Sequence, residues 1–301
     1  MQGQSSLEKR ADQLSQDQIN RYHRDGYLVV PQVFSHTECD EILTRIRSYA
    51  NKDFAAIMNP DRPEYLLVQY PACSYSMKED SDADNIGNFV DKVRGIIENS
   101  NTFESAGILG LSVSDLERLF DNSRFLRNVM RDPRKVSILE TLQGREVSAL
   151  MSQMLFKEAG TPYADQGWKP HQDNAYPKNL NGQYITTNLF LADADKENGT
   201  LYIYPGSHKL GLLDCDATLS YREAKGTSPG NRTHMPPEWE ENHVDVNFKK
   251  GDLLVLHGNC IHGSYVNKSS RSRPLYSDSL ISKGEYFDPG RHARRMEISL
   301  H

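Results

Sequence analysis

Apolar and polar positions alternate with two different periods along this chain, and the change falls near Gly144. Before it the spacing is mostly helical. Ser15 with Gln18 has capping-box spacing and opens a short helix carrying Ile19, Tyr22 and His23. Asp25-Gly26 then turns the chain into the compact strand Tyr27-Leu28-Val29-Val30. Ser35 and Glu38 repeat the capping box, and Cys39, Ile42, Leu43, Ile46 and Tyr49 or Ala50 follow helical spacing. From Asn51 to about Arg131 the pattern is irregular, with helical pieces over Ile86 to Ile97 and Asp115 to Met130. Asp132-Pro133 restarts a helix through Val136, Ile138, Leu139 and Leu142, and Gly144 stops it.

After Gly144 the runs are short and β-like. They cover Val147 to Phe156, Tyr184 to Leu191, Thr200 to Tyr204, Val244 to Phe248, Leu253 to His257 and Pro274 to Ser282, separated by Gly, Asn, Asp and Pro. Helices first and strands later, without βαβ alternation, predict a mainly β fold with flanking helices. Its natural closure is a double-stranded β-helix, a cupin-like jelly roll whose mouth is concave. The expected organisation is a flexible tail over residues 1–14 and a single domain over 15–301. Within that domain a helical part runs to about 144 and the jelly-roll core spans 145–285. A polar insert of about 209–243 is too long for a hairpin and suits a lid, a binding loop or plain surface elaboration.

Composition narrows the class. The 301 residues carry a net charge of -6, which creates no field to attract nucleic acid or an anionic membrane. A mean hydropathy of -0.66 fits long polar loops around a compact core. Nothing approaches the apolar run of a membrane span, and the first ten residues lack the apolar centre of a signal peptide, so a cytoplasmic location is expected. Cys39, Cys73, Cys215 and Cys260 are scattered, without a CxxC pair, and read as reduced thiols. Oligomeric state is not legible.

The candidate chemistry is His171-Gln172-Asp173, followed far downstream by His262 and Arg273. Two imidazoles and a carboxylate form the facial triad that holds Fe(II) and leaves the opposite octahedral face open. If His171 to Asp173 is extended, the two ligands share one side of the strand, and the third must come from another strand, as His262 would. Arg273, eleven residues past His262, could clamp a carboxylate through two parallel charge-assisted bonds. Arg271 would share its face on a strand and is the rival clamp. Trp168, Gln172, Asn174 and Tyr176 flank the ligands and are expected to line a substrate pocket. His208 suits turn architecture and His257 a hydrogen-bonded structural role; His234, His243, His292 and His301 lie in polar contexts, and Arg291, Arg294 and Arg295 form a basic surface cluster.

Taken together, segments spread over most of the chain resemble the phytanoyl-CoA dioxygenase family of Fe(II)/2-oxoglutarate oxygenases. They are Tyr22-His23-Arg24-Asp25-Gly26-Tyr27-Leu28-Val29-Val30, Trp168-Lys169-Pro170-His171-Gln172-Asp173, Glu197-Asn198-Gly199-Thr200-Leu201, Pro205-Gly206-Ser207-His208, Gly251-Asp252-Leu253-Leu254, and His262-Gly263-Ser264 with Asn267 and Arg273. The resemblance implies His171, Asp173 and His262 as iron ligands and selects Arg273 over Arg271 as the partner of the distal carboxylate of 2-oxoglutarate. It puts the Ser264 hydroxyl beside that carboxylate, and Gln153 and Asn188 where relatives touch the cosubstrate. Asn188 stands where relatives often have Trp, and Gln153 differs from relatives too.

What the resemblance implies is hydroxylation of a C–H bond of a small organic metabolite, with O2 and 2-oxoglutarate as cosubstrates and succinate and CO2 released. With Asp173 as a ligand there is no room for a halide, which favours hydroxylation over halogenation. Three alternatives stand beside it: the same iron chemistry ending in desaturation, epimerisation or cleavage; a non-catalytic metal-binding or sensor protein of the same fold; and a zinc or manganese cupin-like hydrolase or isomerase, in which Arg273 has no evident job. No CoA-binding signature is visible.

Overall fold

Local capping chemistry sets the N-terminal helices. In the computed structural model, which describes residues 14–47, 67–68, 125, 128–157, 159, 167–216, 231–288 and 297–301, α1 spans Gln16–Asp25 with both arms of the Ser15/Gln18 capping box formed. The second box opens α2 (His36–Arg47): Ser35 N–H donates to Glu38 Oε2 at 2.7 Å, and Glu38 N–H to Ser35 Oγ at 3.2 Å. Asp132 caps α3 (Pro133–Gln143) by accepting from Arg134 N–H at 3.0 Å, with Pro133 in the first turn where its missing N–H costs nothing. The helical pieces expected over Ile86 to Ile97 and over most of Asp115 to Met130, the tail expected before Leu14, the middle of the polar insert, and Arg291, His292, Arg294 and Arg295 lie outside the described residues.

The strands are β1 (Tyr27–Val30), β2 (Leu67–Val68), β3 (Val147–Lys157), β4 (Trp168–His171), β5 (Tyr184–Phe190), β6 (Leu201–Ile203), β7 (Val244–Asp245), β8 (Leu253–His257), β9 (His262–Ser264), β10 (Arg273–Ser282) and β11 (Ile298–Ser299). They form two antiparallel sheets. The larger runs β1-β8-β5-β10-β3-β11 with β2 alongside β3, and the smaller runs β4-β9-β6-β7. This is the expected double-stranded β-helix. The run over Val244 to Phe248 is the main departure: only Val244–Asp245 forms a strand beside β6, extended by Val246 N–H donating to the Leu201 carbonyl, and Phe248 exchanges both backbone hydrogen bonds with Ala194 instead.

The larger sheet is buried on both faces, which explains why β5 and β10 show no exposed positions. Its outer face carries Ile185, Leu189, Val255, Tyr276 and Leu280 against Tyr22, Ile42, Ile138 and Leu139 of the helices. Its inner face meets the smaller sheet through Phe190, Phe248, Leu254, Leu256, Leu201 and Ile203. Phe190 and Phe248 stack with centroids 3.8 Å apart, so truncating either should cost about 3–5 kcal/mol. A buried ion pair pins α3 to β10: Lys135 Nζ lies 2.5 Å from Asp278 Oδ2, both within 1% of full burial. Among the described residues no helix is long and apolar enough to cross a membrane.

Candidate active site

The inner face of the smaller sheet brings the two histidines together. β4 ends at His171, whose register partner across the pair is His262, the first residue of β9. Gln172 stays extended (φ -112°, ψ 126°), and the chain then folds into a 3-10 turn over Asp173–Ala175. The expectation of an extended His171–Asp173 therefore holds only through Gln172. The carboxylate is presented by a turn, which brings it across both rings. Asp173 Oδ1 lies 3.5 Å from His171 Nε2, and Oδ2 lies 3.7 Å from His262 Nε2. All three ligand atoms fall within 4.8 Å of one another, a spacing that can hold one metal ion.

Backbone carbonyls choose the tautomers. His171 Nδ1 is 2.7 Å from the Lys169 carbonyl, and His262 Nδ1 is 3.0 Å from the Cys260 carbonyl. A carbonyl only accepts, so each Nδ1 carries the proton and each Nε2 offers a lone pair toward Asp173. Thr186 on β5 donates to Asp173 Oδ2 at 2.7 Å, fixing the carboxylate from the opposite sheet. Burial alone would raise the Asp173 carboxyl, but the positive charge that a proton or a cation brings to His262 and His171, together with the Thr186 hydroxyl, outweighs it and holds it well below the usual carboxylate range. Burial pushes the His262 imidazole down, against the pull of Asp173. An anionic carboxylate with two oriented lone pairs fits a divalent metal. The histidines are 8% exposed and the carboxylate 22%, so the site is reachable from solvent.

A cationic end lies in the same interior. Arg273 opens β10 directly opposite Lys157, the last residue of β3, and both are buried. Arg273 Nε donates to the Gly199 carbonyl at 3.1 Å. Lys157 Nζ donates to Ser264 Oγ at 2.8 Å and to the Tyr265 carbonyl. Gly199 has φ +88°, and a Cβ there would sit 2.9 Å from both Lys157 Cδ and the Tyr265 carbonyl oxygen, so the turn before β6 needs glycine to admit the lysine stem. Burial, and then the neighbouring Arg273 charge, hold the Lys157 ammonium well below the usual lysine range. Two cations buried together fit an anionic group that offsets both.

Asn188 lies two residues past Thr186 on β5, hence on the same face, and is buried. Its register partner on β10 is Ser277, whose partner on β3 is Gln153. The register thus puts Gln153 and Asn188 in one row; the Gln153 side chain lies outside what is described. The Trp168 ring is 5.6 Å from the His171 ring, and Trp168 pairs with Ser264. Tyr176 closes the 3-10 turn through its N–H to the Asp173 carbonyl.

Gln172 and Asn174, expected to line a pocket, are instead fully buried and spend their amides on loops. Gln172 Nε2 donates to the Gly211 and Asn259 carbonyls and its Oε1 accepts from Leu213 N–H. Asn174 Nδ2 donates to the Asn179 carbonyl and Asn259 Oδ1, and its Oδ1 accepts from Asn179 N–H. They hold the loops around the ligand turn. Arg271 is an exposed partner of Asp195 at 2.7 Å, on the bend before β10. Sequence reasoning missed Thr186 and Lys157. Thr186 was detectable as an inward position of β5; Lys157 falls just past the apolar run of Val147 to Phe156, where nothing local marks it.

A family model described as phytanoyl-CoA dioxygenase matches residues 22–275. The phytanoyl-CoA dioxygenase domain-containing protein 1 of Danio rerio is 27% identical over 285 residues, covering 90% of this chain and 91% of that protein. Among solved structures, the epimerase SnoN in complex with Fe3+, alpha ketoglutarate and nogalamycin RO superposes with a TM-score of 0.59 at 20% identity, covering 95% of this chain and 98% of the other. The carbocyclase SnoK from nogalamycin biosynthesis reaches 0.60 at 17% identity, covering 97% and 96%. At these identities the two structures speak to the fold.

Proposed function

The chain belongs to the phytanoyl-CoA dioxygenase family, and on that premise we propose that it is an Fe(II)- and 2-oxoglutarate-dependent oxygenase that hydroxylates a C–H bond of a small organic metabolite. The observation that carries the reading is the pairing of two sites in one interior: a His171–Asp173–His262 cluster and a buried cationic end at Arg273, Ser264 and Lys157. His262 and Ser264 lie two residues apart on β9, roughly 6.7 Å along a strand, a separation a five-carbon dicarboxylate can bridge. A hydrolase or isomerase has no use for the second site.

Within this reading His171, Asp173 and His262 are the whole protein ligand set. The Lys169 and Cys260 carbonyls keep the imidazole protons on Nδ1, and Thr186 keeps the Asp173 carboxylate from rotating away. Arg273 and Ser264 hold the distal carboxylate of 2-oxoglutarate, with Arg273 aimed by the Gly199 carbonyl. Asn188 and the row position of Gln153 flank the cosubstrate, while Trp168 and Tyr176 border the face left for substrate. Bound iron and 2-oxoglutarate would supply oxygen activation, with succinate and CO2 released and one oxygen atom left for the substrate. The protein supplies orientation and shielding.

The test begins with anaerobic addition of Fe(II) and 2-oxoglutarate to purified protein, followed by a metabolite screen scored by succinate release. A visible charge-transfer band on 2-oxoglutarate addition, and a product one oxygen heavier than its substrate, is the expected result. A product two hydrogens lighter, or isomeric, would replace hydroxylation while leaving the oxygenase reading intact. Absence of 2-oxoglutarate binding by the iron-loaded protein would overturn the reading altogether.

A further inference from the structure

Among the described residues two lysines are almost completely buried, and their surroundings differ in kind. Lys135 has Asp278 at 2.5 Å, a carboxylate that offsets its charge. Lys157 is 0% exposed and faces Arg273 instead, a like charge, and its two hydrogen-bond partners are neutral: the Ser264 hydroxyl and the Tyr265 carbonyl. Burying a cation beside a cation is costly unless something else compensates. A residue that serves only to tie β3 to the segment after β9 needs no charge for that task.

We propose that Lys157 is a positioning residue for the distal carboxylate of the cosubstrate. Its ammonium donates to Ser264 Oγ, which turns the Ser264 hydroxyl hydrogen outward to donate to that carboxylate, and it adds a second positive charge to that of Arg273. The register supports this: Lys157 is the residue opposite Arg273, and its Nζ reaches Ser264 Oγ at 2.8 Å from the other sheet. Gly199 keeps space for the lysine stem while its own carbonyl aims Arg273, so one glycine turn serves both cations. A dicarboxylate would offset the like-charge repulsion between Lys157 and Arg273, and its two ends make the pocket select it over a 2-oxo acid with a neutral tail.

The inference rests on the oxygenase reading, and the experiment separates the two. The full-length protein loaded with Zn(II), a redox-silent stand-in for iron, is titrated calorimetrically with 2-oxoglutarate and with 2-oxopentanoate, which has the same keto acid and chain length but no distal carboxylate. Lys157→Met should weaken 2-oxoglutarate by about tenfold or more and leave 2-oxopentanoate, followed by competition, within about twofold. Lys157→Gln, which retains a donor for the Tyr265 carbonyl but no charge, should show the same split and serves if the methionine variant fails to fold. Equal weakening of both ligands would make Lys157 a structural tie, and no weakening of either would also overturn the proposal. Failure of the wild-type protein itself to bind 2-oxoglutarate would instead remove the oxygenase reading on which it stands.

Discussion

Among the described residues the protein holds two close histidine pairs, and they are nearly alike as ring geometry. His171 and His262 have centroids 4.4 Å apart at 47°, and His208 and His257 have theirs 5.0 Å apart at 50°. Their nitrogens are used in opposite ways. In the first pair both Nδ1 atoms face carbonyls, freeing both Nε2 atoms toward one carboxylate. In the second, His257 Nδ1 accepts from Asn259 N–H at 3.1 Å and His208 Nε2 meets the His23 carbonyl at 3.2 Å, and among the described residues no carboxylate bridges the two rings. Proximity of imidazoles does not make a metal site. Convergent lone pairs and an anion do, and here both depend on the backbone two residues upstream of each histidine and on a turn that begins at Asp173.

Removing the anion is the largest blow to that distinction. Asp173→Ala leaves two neutral imidazoles, which bind a divalent cation far less well than the full triad. Iron content of the purified, folded variant should collapse, and 2-oxoglutarate-dependent succinate release should fall by orders of magnitude. His208→Ala and His257→Ala should keep metal and turnover even where stability suffers. Iron loss from folded His257→Ala, or near-normal turnover in Asp173→Ala, would erase the contrast between the pairs.

A parallel contrast separates the two arginines, with a smaller expected effect. Arg273 is buried against the Gly199 carbonyl, whereas Arg271 forms an exposed bridge to Asp195, of a kind worth about 1 kcal/mol or less. Arg273→Lys retains a charge but loses the planar fork, so the Michaelis constant for 2-oxoglutarate should rise about tenfold or more while iron still binds. Arg271→Lys should leave it unchanged. Steady-state kinetics on both variants decide, and the reverse ranking would show that the clamp is Arg271.

These contrasts also mark where sequence reading succeeds. The capping boxes at Ser15 and Ser35 and the strands at Tyr27–Val30 and Leu253–His257 were legible because their signals are local, a few residues of fixed spacing or an unbroken apolar run. The jelly-roll class followed from the order of such signals. β9 was legible only through the ligand argument that put His262 on another strand, not from its pattern: it is three residues, His262–Ser264, with glycine in the middle and no apolar alternation. The fates of Gln172 and Asn174 depend on Gly211, Leu213, Asn179 and Asn259, loop atoms that no periodicity places beside them. Lys157 was hidden for the same reason. Its burial is created by Gly199, Ser264 and Tyr265, all far along the chain.

The smallest expected effect tests the second histidine pair through acid sensitivity. Burial, followed by the nearby His208, pushes the His257 imidazole from its ordinary 6.5 down to about 4, despite the Gly182 carbonyl. Above pH 6.5 the ring is neutral in both folded and unfolded chains and contributes no pH dependence. Between 6.5 and about 4 the unfolded chain takes up a proton that the folded chain refuses, so stability falls as pH falls through that window. The charges of His208 and His23, which face this ring, oppose its protonation further and deepen the loss. His257→Gln removes this titration, so melting temperatures at pH 7.5 and pH 5 should diverge for wild type more than for the variant. Parallel falls in the two proteins would mean that His257 titrates normally and that the half-buried second pair refuses no proton.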